Sequence, residues 1–528
     1  MKLLQKFVSF INQHSFLFFL ILYFTLAIWV YPLQKYFIDA DGISYISIAQ
    51  KYTAANFKDG INGFWSPMIS WIIALLLFVI PNKIVAAKMA GVLIGAGILF
   101  SIKLFAKHFS FKKSSEALMY SIAVPLLVCY CYYEVPVDFT LILFLLPYLY
   151  FVFHPSFFEQ IKYPILAGVM GCLSYFAKQY AFPFFILHFF ILIGFRLINE
   201  KKLKSKFHFL IIGYIAFLIT AAPWIFLISN KYQSGIIYGT TGKINFSQAL
   251  NNEVRNINDK QGYFLKNPNP TAIDYTEDVF FIQGKYVSMF DSKQTFKNEI
   301  ELVKKSTADF FYQIITMNYA ILFFILLALI FLIKKNIADE KLKSIFAFCL
   351  ITILLYPSGY LLIHAETRFF WIINIIVLFL GIKIFELVAS KNSLSITSKR
   401  IIAALIFILF LANPILLFSN ECYRLRYITQ IAERLKNEYH ISGNIYADGG
   451  DCADTQHVGL LLDSHLFIVN PRYYDSNKDL KNELLNNHVN YYFYWHWQPN
   501  QSDTLKSFYD FEEITHGNIY GLQVFKIQ

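Results

Sequence analysis

The chain has 528 residues, 56% of them hydrophobic, 19% aromatic and only 15% charged, against about 45–50% apolar and about 25% charged in ordinary soluble domains. That balance excludes a disordered chain, a small disulfide scaffold and a simple water-soluble globule, and leaves a polytopic membrane protein with some water-exposed mass. The net charge of +11 does not point to nucleic acid. Segment 230–314 is nearly balanced and segment 420–528 is net acidic, so the basic excess lies in short loops between apolar runs, where Lys and Arg mark the cytoplasmic side.

From the N-terminus, a short basic stretch (Met1 to Asn12) leads into an apolar run that reaches Trp29 without a small-residue cleavage site, which predicts a retained first span. A crossing needs about 20 mostly apolar residues. Candidate spans are 16–36, 84–106, 115–133, 138–153, 164–178, 180–198, 207–229, 315–333, 344–363, 369–389 and 401–419. The loops 107–113, 196–206, 334–343 and 391–400 are Lys/Arg-rich and read as cytoplasmic. With the N-terminus inside, loop 37–66 lies outside, and an odd number of crossings must separate it from loop 107–113. The stretch Pro67 to Ile80, bounded by Pro67 and Pro81, is therefore expected to lie along the interface or dip in and return. About eleven crossings remain, and both large polar segments fall on the outer face of the cytoplasmic (inner) membrane.

Segment 230–314 has turn signals (Asn267-Pro268-Asn269-Pro270) and a helix-like stretch near Lys293–Lys305, and reads as an ordered outer loop. Segment 420–528 opens with a helical stretch, Cys422 to Tyr439. A strand-like run (Asn444–Ala447), a helix-like run (Thr455–Leu462) and strands near Leu466–Val469, Val489–Trp495 and Leu522–Ile527 follow, an alternation that predicts a small extracytoplasmic α/β module. The expected architecture is an all-α polytopic bundle over 1–419 with this module over 420–528. The Gly449-Gly450 pair is too little for a phosphate loop. Cys129, Cys131, Cys172 and Cys349 lie in apolar runs and read as packing residues. Cys422 and Cys452 lie in the polar module and can pair in an oxidising compartment.

Three polar clusters stand at the outer ends of spans. The first, Asp39-Ala-Asp41-Gly-Ile-Ser-Tyr45, holds two carboxylates suited to activating a hydroxyl or holding a divalent cation. Asp41 fits equally well as the N-cap of a helix over Ile43–Tyr52. The second, Glu134-Val-Pro-Val-Asp138, borders the hydrocarbon, where ionisable groups tend to be functional; the simpler reading makes it a wet loop with Asp138 capping the next helix. The third, His364-Ala-Glu366-Thr-Arg368-Phe369, offers a guanidinium that can take phosphate bidentately or pair locally with Glu366. Lys178, at another outer turn, is either a snorkelling lysine or a second phosphate ligand. Two acidic loops and two cationic turns on one side suit an anionic lipid head group with a carboxylate nearby. A transporter or flippase for lipid-linked sugars would instead show charges near the middle of spans and internal repeats, and the sequence is read as showing neither. An O-antigen or capsule polymerase relies on outer-loop arginines, and segment 230–314 offers only Arg255.

In order along residues 10–390 these elements resemble the polytopic glycosyltransferases of the GT-C fold, in particular the protein mannosyltransferase and aminoarabinose transferase branch. Asp41-Gly-Ile-Ser-Tyr45, followed by Ile48-Ala49, is similar to that family's acidic first-loop motif. Trp65-Ser66-Pro67-Met68 stands where the family often has His-Pro-Pro-Leu, without the His and one Pro. Asp138-Phe-Thr-Leu141, the Gly-rich stretch from Gly168 to Lys178, Pro223-Trp224 and Glu366-Thr-Arg368-Phe369 complete the resemblance. It implies inverting transfer of a sugar from a polyprenyl-phosphate donor to a lipid, glycan or protein acceptor on the outer face. Asp41 would be the general base, Asp138 with Glu134 would orient the acceptor or a metal, and Arg368 and Lys178, flanked by Glu366 and His364, would hold the donor phosphate. Asp39 and Tyr45 would line the acceptor loop. Metal dependence varies across that fold, so no cofactor follows from the resemblance, and Asp39 and Asp41 could serve a divalent cation.

Overall fold

A computed structural model describes residues 15–133, 135, 137–199, 203–251, 257, 258, 260–334, 339–391, 394–447, 453–470, 473, 480–495 and 511–527. Among these, eight helices are long and apolar enough to cross a bilayer: Ser15–Gln34, Lys83–Ala106, Lys113–Tyr133, Ala181–Ile198, His208–Tyr232, Glu340–Leu362, Thr367–Ser390 and Ile396–Asn420. Val137–Phe153 and Lys162–Ala177, of 17 and 16 residues, reach only about 25 Å at 1.5 Å per residue, short of the roughly 30 Å hydrocarbon core.

The expected span 315–333 is not one straight helix. Lys293–Met317 and Ile321–Ile333 meet at a 97° bend. Asn318 causes it: its backbone is extended while its N–H still bonds Ile314, and its side-chain oxygen takes the Ala320 N–H at 2.9 Å, ending one helix and seating the start of the next. Pro67–Leu77, with Pro67 at its first turn, has 11 residues, about half the length a crossing needs.

The chain divides into two compact units, one of 1–32, 88–242 and 289–422, the other of 33–87, 243–288 and 423–528. In the first, the helices lie close enough to exclude side chains at their contacts. A Cβ on Gly168 would stand 2.3 Å from the Gly213 carbonyl oxygen, so helix Lys162–Ala177 meets helix His208–Tyr232 backbone to backbone. Buried polar groups join the helices inside. His188 bonds Tyr148 at 2.7 Å and Thr352 at 2.9 Å, and Asn374 bonds both Asn318 and Tyr130 at 3.0 Å. A charged pair also lies inside a span, toward the end that meets the 107–113 loop rather than at its middle. Lys383, inside helix Trp371–Lys391, pairs with Glu386 at 2.7 Å, and Glu386 also takes the Lys112 N–H at 2.7 Å. A buried pair of this kind is tolerated because each charge is matched and hydrogen-bonded.

Among the described residues, the second unit is built on a five-stranded sheet of order β2-β1-β3-β5-β4. β1 (Asn444–Ala447) runs parallel to β2 (His465–Phe467) and β3 (Tyr491–Trp495), while β5 (Leu522–Lys526) is antiparallel to β3 and to β4 (Glu512–Glu513). β1 and β3 are nearly continuous apolar runs because both of their faces are covered. Helices Arg426–Asn437 and Ala453–Leu462 supply Ile431, Leu435 and Val458 to the core beside Ile445 and Trp495. Leu265 and Tyr275, from the large loop, join the same core. The helix expected from Cys422 starts later, at Arg426, because Tyr423 and Leu425 adopt left-handed backbone. Cys452 and Gly449-Gly450 lie outside the described residues.

Candidate active site

A helix hairpin puts the start of one helix beside the end of the next. Val137–Phe153 and Lys162–Ala177, joined through the turn Pro155–Phe158, form such a hairpin, so Asp138 in the first turn of one meets Lys178, the C-cap of the other. Lys178 Nζ lies 2.5 Å from Asp138 Oδ1. Each charge also sits at the helix end whose dipole favours it. Asp138 is 6% exposed, a buried, ion-paired carboxylate and not the wet capping residue of the simpler reading.

The third contributor comes from far along the chain. The short turn Thr367–Phe370 precedes helix Trp371–Lys391 and carries Arg368, whose Nε is 2.7 Å from Glu366 and 4.0 Å from Asp138. Glu366 in turn takes a hydrogen bond from His364 at 3.1 Å. Burial alone would raise the Glu366 carboxyl, but the bonds from His364 and Arg368 and their charge hold it down at about 2. The Lys178 ammonium lies 3.8 Å from the Phe369 ring centre and 5.2 Å from that of Tyr360, an aromatic wall that holds a cation with little water. Helix Lys293–Met317 braces the turn through Gln313, which accepts from Thr367, and through Phe310, edge-on to Phe370 at 4.9 Å.

Of the residues singled out from sequence, Asp138, Lys178, Glu366, Arg368 and His364 thus form one cluster, and Glu134 lies outside the described residues. Two cations, each held by a carboxylate and backed by aromatic rings, make a site suited to a phosphate. Tyr360 and Gln313 were not found from sequence, where Phe369 enters only as the aromatic that follows Arg368; the aromatic-rich run was the available signal for Tyr360, and Gln313 carried none.

Asp39, Asp41 and Tyr45 lie in the second unit. Helix Ala40–Thr53 begins earlier than expected, so Asp39 rather than Asp41 is its N-cap, and Asp39 makes no side-chain capping bond. Asp41 lies in the first turn. Tyr45 is buried edge-on against Trp65 at 5.1 Å, and its carbonyl takes the Ser70 hydroxyl at 2.9 Å, so Trp65-Ser66-Pro67 packs on the acidic motif despite its departure from the family pattern. Among the described residues no three His, Cys, Asp or Glu side chains group as metal ligands; a cation at Asp39 and Asp41 would have those two carboxylates.

Residues 65–226, about a third of the chain, match the family model described as dolichyl-phosphate-mannose-protein mannosyltransferase. Among solved structures, the chain is similar to ArnT from Cupriavidus metallidurans, determined bound to undecaprenyl phosphate, at 12% identity and a TM-score of 0.54, covering 96% of this chain and 98% of that one. It is also similar to the Archaeoglobus fulgidus oligosaccharyltransferase in the apo form, at 11% identity and a TM-score of 0.49, covering 90% and 69%. No curated protein sequence matches it. The fold is the GT-C fold, and with the family match it indicates a multi-pass membrane glycosyltransferase.

Proposed function

We propose that this GT-C-fold glycosyltransferase moves a sugar from a polyprenyl-phosphate donor to an acceptor hydroxyl on the outer face of the cytoplasmic membrane, with inversion. The observation that carries the reading is the cluster of Lys178, Arg368, Asp138 and Glu366, assembled from three distant chain segments at helix ends. In the donor, a phosphodiester carries one negative charge; as the bond from the anomeric carbon to phosphate oxygen breaks, its electron pair leaves with the polyprenyl phosphate and the charge there grows. Preorganised cations at that point stabilise the transition state more than the ground state. The ArnT structure was determined with undecaprenyl phosphate bound, which supports the same class of donor here.

Asp41 is assigned the base. Its carboxylate takes the acceptor proton as the acceptor oxygen bonds to the anomeric carbon, and the capping role does not stand against it, since Asp39 occupies the N-cap. Asp138 holds Lys178 in place and orients the phosphate side of the site. The acceptor remains a lipid, glycan or protein hydroxyl, and domain 420–528 is proposed to face the same outer compartment.

The test is donor consumption by purified protein in membranes, using undecaprenyl phosphates bearing mannose, glucose or aminoarabinose. Asp41→Asn is expected to abolish transfer, and Arg368→Ala to lower kcat/KM by about 10²–10³, the range for losing one oxyanion-type contact, with both variants folded. Wild-type protein that consumes none of the three, or Asp41→Asn that transfers normally, overturns the assignment.

A further inference from the structure

Helix Ala40–Thr53, which starts at the proposed base, is gripped from the large polar loop more than two hundred residues later. Ser47 and Lys51 stand one turn apart on one face of it. Glu277 faces both: its Oε1 lies 2.6 Å from Lys51 Nζ, and its Oε2 takes the Ser47 hydroxyl at 2.6 Å. Lys51 also donates to Ser47 at 3.1 Å, and Asn269 to Glu277 at 3.3 Å. Side-chain exposure of the Lys51–Glu277 pair is only 3% and 2%.

The same loop holds the helix by a second route. The Glu277 carbonyl takes the Asn62 amide at 2.7 Å, and the Thr276 carbonyl takes the Trp65 indole at 3.1 Å; Trp65 packs on Tyr45, one turn past Asp41. The segment is itself fastened, because Asp274 accepts from Thr276 N and from Gln456, both at 2.7 Å, and Gln456 belongs to helix Ala453–Leu462. A buried ion pair is poor evidence for stability, since an apolar pair of similar volume does as well or better. What two contacts one turn apart do provide is a fixed rotation and a fixed height of the helix, hence of whatever its first turn carries.

We propose that Glu277 is a positioning residue for catalysis: through Ser47 and Lys51 it sets the place of the Asp41 carboxylate. The inference rests on Asp41 being the base. Displacing a reacting group by about 1 Å can cost about 100-fold in rate, so the loss should appear in kcat and leave the donor KM alone.

Glu277→Gln strands a buried ammonium, so the decisive variant is the apolar exchange Lys51→Met with Glu277→Leu, measured on the full chain in membranes with the consumed undecaprenyl-phosphate sugar as donor. The expected result is a folded protein with kcat lowered at least tenfold and donor KM within twofold. Should the exchange fail to fold, Ser47→Ala, which keeps the ion pair and removes one contact, carries the test, with an expected three- to tenfold fall in kcat. Wild-type kcat in the folded variant overturns the proposal. Asp41→Asn run alongside separates the two failures: if it abolishes transfer while the exchange does not, the base stands and only the positioning role falls.

Discussion

Asp138 is buried, and of the two cations that face it Lys178 at 2.5 Å is nearer than Arg368 at 4.0 Å. Removing Lys178 alone leaves the buried carboxylate only its more distant cation, whereas removing both members of the close pair leaves no buried charge short of its partner. Lys178→Met is therefore expected to destabilise the folded protein by roughly 3 kcal/mol, and Asp138→Asn with Lys178→Met to recover most of that. Chemical denaturation of the detergent-purified variants measures both, and additive losses would mean that the two side chains do not act as a pair. Glu366 gives a pH dependence of defined sign. A carboxyl held at about 2 against an ordinary value of 4.5 binds fewer protons in the folded chain than in the unfolded one. Its contribution is complete above about 4.5 and is lost as pH falls toward 2. Melting temperatures followed down through that window should fall more steeply for wild type than for Glu366→Gln; parallel curves would remove the ion-pair account. At this scale the sequence revealed which residue types border the membrane, because charges next to long apolar runs are conspicuous. It did not reveal the Lys178–Asp138 pairing, which depends on two helices returning to the same end, nor Glu277, whose only local context is an acidic turn.

Helices and strands were the most legible level, since an apolar run of about 20 residues and a short β-branched and aromatic run have few alternative fates. β1 was predicted at Asn444–Ala447 and forms there. The break at Asn318 was not legible, because the apolar pattern continues across it and the cause is one side chain capping one amide. Helix Lys162–Ala177 shows how packing at one level sets chemistry at the next. It ends at Lys178, and its height in the bundle is set where Gly168 lies against the Gly213 carbonyl. A methyl group there would sit at 2.3 Å from that oxygen and 2.9 Å from the Ala216 Cβ, and neither belongs to a flexible side chain. Gly168→Ala should therefore push the two helices apart and move the Lys178 ammonium with them. The expected outcome is a folded protein, destabilised by about 1–3 kcal/mol as for other overpacked contacts, in which donor KM rises severalfold. A variant that loses stability while its donor KM stays at the wild-type value would show that the displacement is absorbed before it reaches the site.

For the whole molecule, the proposed chemistry depends on which side of the membrane each polar segment occupies, and that was argued from Lys and Arg in short loops together with a parity count. The count turns on Pro67–Leu77. At 11 residues it reaches about 16 Å, so the chain before and after it should stay on one side. Single cysteines introduced into a Cys422→Ser, Cys452→Ser background, probed with a membrane-impermeant maleimide, test this directly. Phe57→Cys and Pro81→Cys flank the helix at exposed positions and should both react in intact cells. Tyr520→Cys, 85% exposed beside β5, should react with them, and Lys112→Cys, in a basic loop, only after permeabilisation. Labelling of Phe57→Cys and Pro81→Cys on opposite sides would make Pro67–Leu77 a crossing, shift every later loop to the other face, and put the Lys178–Arg368 cluster in the cytoplasm. A donor head group presented outside would then meet no cations, so this labelling pattern decides the compartment of the reaction independently of any activity measurement.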